Sequence, residues 1–168
     1  MQNTIQQYLA NISASRDKEV LQTLMQYVAR QANTVAVRAA GLEIAAGGSA
    51  LAQVGSTSTF VATVGGRYVT IAAGTDMPAL TGLTITANSF NVACFFVNSS
   101  GTVVMRAGTE ATTRGAVKFP DFPVDMALVG FLLITHSSTF TGGTTPLDTA
   151  TTVYVSPVGA FDPTFLYI

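Results

Sequence analysis

Hydrophobic positions change period once along this chain, near Asn33. Before that point Ile5, Tyr8, Leu9 and Ile12 recur three and four residues apart, which lines them up on one face of a helix. Ser13 and Ser15 interrupt the pattern, and Ser15 is followed by Arg16-Asp17-Lys18-Glu19. A serine with acidic residues in the next turn marks a helix start, because hydroxyl and carboxylates meet the free N–H groups there. Val20, Leu24, Tyr27 and Val28 then form a second stripe, widened by Leu21 and Met25. Residues 1–33 therefore read as a helical segment without Gly or Pro, serving as an anchor or in oligomerisation. Each stripe is too short to establish a coiled coil.

From residue 34 to residue 168 the period drops to two, and all 15 glycines and six prolines lie in this part. Ser58–Val64 and Arg67–Ala73 alternate around Gly65-Gly66, a two-residue link with the φ > 0 freedom that tight hairpins need. Phe90–Val97 and Thr102–Arg106 flank Asn98-Ser99-Ser100-Gly101 as a second hairpin, with apolar residues on both faces. Gly108–Gly115 reads as a loop, Ala116–Phe119 as a short strand ended by Pro120-Asp121-Phe122-Pro123, Leu128–Thr135 as the most buried strand, and Thr151–Val155 as another. Short strands between Gly-rich turns predict a mainly β chain: an antiparallel β-sandwich or jelly-roll-like domain over 34–168, preceded by the helical segment.

Composition narrows the function. Only 10% of the 168 residues are charged, against about 25% in typical domains, and mean hydropathy is +0.43. The formal charge of −1 offers no basic excess for phosphate, so nucleic acid is not an expected partner. The long uncharged stretches Ile44–Gly66 and Met77–Met105 are too rich in Gly, Ser, Thr, Gln or Asn to span a bilayer, and Met126–Ile134 is too short. Met1–Ala10 has neither a basic start nor a continuous apolar core, so synthesis in the cytoplasm and no membrane are expected. An oily, weakly charged chain without a membrane span has another outlet, burial between subunits. A homo-oligomer is expected.

The residues that carry chemistry are sparse. His136 is the only histidine, and a Ser–His–Asp reading would recruit Ser137 or Ser138 with Asp148 or Asp125, without a nucleophile elbow. Cys94, the only cysteine, sits mid-strand as a small hydrophobe. The aspartates are scattered and form no calcium loop, and the glycine pairs precede no phosphate-binding helix. No enzyme activity, cofactor or metal is expected. Basic residues end at Lys118, whereas Phe119–Ile168 carries Asp121, Asp125, Asp148 and Asp162. Opposite charge on two parts of one chain can orient copies against each other.

Two stretches carry a resemblance. Val129-Gly130-Phe131-Leu132-Leu133-Ile134-Thr135, Phe140-Thr141-Gly142-Gly143-Thr144-Thr145-Pro146-Leu147-Asp148, Val153-Tyr154-Val155 and Gly159-Ala160-Phe161-Asp162-Pro163 form one. Phe90-Asn91-Val92-Ala93-Cys94-Phe95-Phe96-Val97 with Gly101-Thr102-Val103 form the hairpin before it. Together they resemble a β-rich module of tailed-bacteriophage virion structural proteins, of the capsid-decoration or head-fibre kind. The resemblance covers 90–163 and not the helical segment. It implies a non-enzymatic cement protein of the virion, trimeric, with the major capsid protein or other virion proteins as partners. On that reading Ile5, Tyr8, Leu9 and Ile12 are the expected capsid contact. Val20, Leu24, Tyr27 and Val28 are expected to pack the helix on the β-domain or to join copies. The alternative is a tail or fibre module binding a host receptor or glycan, with Tyr68, Phe140 and Tyr154 as the aromatic candidates.

Overall fold

The structure is a computed structural model that describes residues 15–32 and 34–161. Among the described residues the fold is mainly β, as the two-residue period requires, with antiparallel sheets and a helix before them. That helix, α1, runs Ser15–Ala32. The strands are β1 (Val35–Arg38), β2 (Glu43–Ile44), β3 (Ala52–Gln53), β4 (Phe60–Val64), β5 (Arg67–Ile71), β6 (Thr84–Ile85), β7 (Phe90–Asn98), β8 (Val103–Ala107), β9 (Met126–Thr135), β10 (Phe140–Thr141) and β11 (Thr151–Val155). A four-stranded sheet has the order β11-β9-β7-β8 and a three-stranded sheet the order β1-β4-β5. β2-β3 and β10-β6 are two-stranded pairs.

Local chemistry sets the hairpins. Val64 pairs with Arg67 across Gly65 (φ 57°) and Gly66 (φ 80°), and two successive positive φ values match the twist of the flanking strands. In the β7–β8 turn the Asn98 side chain accepts from the backbone N–H groups of Ser100 (3.0 Å) and Thr102 (2.9 Å), closing the loop without long-range help.

The four-stranded sheet is apolar on both faces because it is covered on both. One face of β7 and β9 presents Ala93, Phe95, Val97, Leu132 and Ile134 to Phe60, Ala62, Val64 and Val69 of the three-stranded sheet, making the main core. The other face presents Val92, Cys94, Phe96, Phe131 and Leu133 to a second core roofed by loops. β9 carries a bulge: Phe95 pairs with Gly130 while Phe96 pairs with Leu128, leaving Val129 as the extra residue. Gly130 is required there, since a Cβ would lie 2.5 Å from the Val155 carbonyl oxygen and 2.6 Å from Leu42 Cδ1.

One expected strand is replaced. Ala116–Phe119 is not a strand; a 3-10 turn covers Arg114–Ala116, and Lys118 makes a single bridge to Thr109. The Gly108–Gly115 loop is tied down at both ends, by that bridge and by the bridge between Phe90 and Ala111. The short strands β1, β2, β3, β6 and β10 have no counterpart in the sequence reading, because two to four residues hold too little alternation to register.

Candidate interaction surface

α1 forms because its sequence excludes Gly and Pro and opens on Ser15 with Asp17 and Glu19 in the first turn. At about 100° per residue, Val20, Leu21, Leu24, Met25, Tyr27 and Val28 fall on one side, while Glu19, Gln22, Thr23, Gln26 and Arg30 fall on the other. Such a stripe ordinarily faces a core. Here Val20 is 64%, Leu24 56% and Val28 57% exposed, and Leu21 is exposed as well. Met25 is half-buried. Val20 and Leu24 therefore keep most of their surface clear of the β-domain, and Val28 lines a groove together with β-domain residues. The side chain of Tyr27, and all of Ile5, Tyr8, Leu9 and Ile12, lie outside the described residues.

At its C-terminal end the stripe meets an apolar groove of about 360 Å³ lined by Val28, Val35, Phe122, Met126, Leu128 and Phe161, among others. Its floor belongs to an aromatic cluster that sequence reasoning did not assemble. Phe119 meets Phe131 edge-on at 4.9 Å between ring centres, and Phe161 at 5.5 Å. Phe122 meets Phe96 edge-on at 5.1 Å. Edge-to-face packing of this kind adds to the burial energy of each ring. Pro120 and Pro123 frame two of the rings, and that Phe-Pro-Asp-Phe-Pro string was the available signal.

The three candidate glycan aromatics are not equivalent. Tyr68 on β5 is 78% exposed. Tyr154 on β11 is half-buried against the main core, and burial, with Asp148 nearby, raises its hydroxyl pKa. Phe140 is fully buried, because it is the inward residue of β10 opposite Ile85. It is a core residue and offers no ring to a sugar.

Chemistry-bearing groups sit in local structural roles. His136 Nδ1 accepts from the Ser138 backbone N–H (3.1 Å), lies 2.9 Å from Ser138 Oγ, and lies 3.0 Å from the Ser138 carbonyl. Both partners belong to one exposed turn, and it is Nδ1 that faces the serine, the nitrogen a catalytic triad gives to its carboxylate. Asp148 accepts from the Gly48 N–H at 2.7 Å, tying two loops together. Asp125 lines a separate small recess with Arg67 and Ser99. Cys94 is buried, and desolvation pushes its thiol pKa far above the ordinary value. Among the described residues no three His, Cys, Asp or Glu side chains gather as a metal would require, and no helix is long and apolar enough to cross a membrane.

No family model, no curated protein and no solved structure matches this chain.

Proposed function

We propose that this chain is a non-enzymatic structural protein of a tailed-phage particle, a decoration or cement protein that self-associates and binds the head shell. The observation that carries the reading is the exposed apolar stripe of α1 running into an aromatic-floored groove, on a chain with 10% charged residues. A contiguous apolar surface of this kind is uncommon on a monomer and marks a surface that a partner covers. A repeated shell supplies such partners, and a multivalent oligomer multiplies modest contacts into firm attachment. The similarity to virion modules adds support. Three residues within those stretches have structural roles here: Gly130 admits Leu42, Gly142 lies against Leu80, and Asp148 holds Gly48.

The test is location. Antibody against the chain, applied to intact particles and viewed by electron microscopy, should label heads at regular sites. Label confined to tails would transfer the protein to the receptor-binding alternative, and unlabelled particles would overturn the proposal.

A further inference from the structure

The four-stranded sheet ends on two edge strands, β8 and β11. β8 pairs only with β7 and β11 only with β9. Among the described residues no backbone hydrogen bond reaches the outer side of β11 or of Val103–Ala107, and the β8 edge closes two residues further on, where Thr109 exchanges backbone bonds with Lys118. Open edges are sites for strand addition, and proteins that avoid it place charge or proline on them. β11 reads Thr-Thr-Val-Tyr-Val, without either.

We propose that copies of this chain join edge to edge, β11 of one copy adding to β8 of the next, so that the sheet continues head to tail around a closed ring. The inference rests on the self-association part of the reading above and names the surface that performs it.

Three observations carry it. The first is direction: successive strands across the sheet are antiparallel, so a β11 added beside β8 of a copy in the same orientation keeps the alternation unbroken. The second is the match of faces. On β8, Val103 and Met105 belong to the main core and Val104 to the second core; on β11, Tyr154 belongs to the main core and Val153 and Val155 to the second. All six are only half-buried within one copy. Setting Val103 against Tyr154 of the next copy places Val104 against Val153, and both layers run on without a break. The third is charge. Antiparallel addition brings the C-terminal end of β8, where exposed Arg106 donates to the Asp121 carbonyl (3.3 Å), to the N-terminal end of β11, which follows Asp148, the acceptor of the Gly48 N–H, by three residues. Complementary ends fix register and disfavour β11 pairing with itself. A head-to-tail contact of this type generates a ring when its rotation closes.

The variants Val104→Cys and Val153→Cys, each adding one cysteine to the buried Cys94, test this in the full chain, since both replace a half-buried valine by a residue of similar size. Under mild oxidation, co-expressed Val104→Cys and Val153→Cys chains should cross-link to each other, while each variant alone should not. The double variant should give a covalent ring with no longer ladder, because β7 and β9 separate the two positions within one copy. Arg106→Glu should weaken assembly roughly tenfold. Cross-linking of Val153→Cys alone would show a β11–β11 contact and overturn the proposal. An oligomer by light scattering that cross-links in none of these combinations would overturn it too, leaving self-association intact. A monomeric mass would remove self-association itself.

Discussion

Single residues in this chain mostly serve the fold, and their roles follow from contacts that sequence alone leaves open. Gly142 sits where a Cβ would press on the Leu80 carbonyl and lie 2.8 Å from Leu80 Cβ. Gly142→Ala should therefore cost about 2–3 kcal/mol in denaturant unfolding. Gly47→Ala, in open space, should stay within about 0.5 kcal/mol. Glu43 accepts from Gln53 Nε2 (2.9 Å) and from the Ser56 N–H (2.8 Å), and these bonds hold its pKa below the usual glutamate value, the Gln53 bond contributing most. A depressed carboxylate contributes stability that is present above its unfolded pKa and is lost as pH falls through the folded one. Acid titration of stability should accordingly be shallower in Glu43→Gln below the ordinary glutamate range; an unchanged slope would remove this role from Glu43. The sequence marked His136, Ser138 and Asp148 only as possible triad members. Their actual engagements, a two-residue turn and a loop tie to Gly48, depend on where the chain returns and leave no mark in residue spacing.

At the scale of elements, long patterns were legible and short ones were not. α1 covers Ser15–Ala32, within the stretch that lacks Gly and Pro, and both hairpins and β11 fall where alternation and turn residues put them. β1 is held by the longer β4, whereas β2 with β3 and β6 with β10 form two-residue ladders, which have no period of their own. Phe140 shows the same limit: beside Ser, Thr and Gly it reads as a surface aromatic, yet its pairing with β6 turns it inward. The second face of the four-stranded sheet is closed by loop aromatics rather than by a further sheet. Phe119 belongs to that closure, in contact with the rings of Phe122, Phe131 and Phe161. Phe119→Ala should cost about 3 kcal/mol and increase binding of a hydrophobic dye. A change below about 0.5 kcal/mol, the range of an ordinary surface substitution, would show that the roof contributes little.

The whole molecule combines a two-sided core with apolar surface that its own fold leaves uncovered. The stripe on α1, the groove beside it and the half-buried valines of β8 and β11 stand on a chain with too few charges to keep such surface apart from its like. Composition announced that excess, but not its location, which depends on strand order. Light scattering coupled to size exclusion on the full chain measures the consequence most directly. A single species near three times 17.4 kDa is expected; a monodisperse monomer at all concentrations tested would contradict the account.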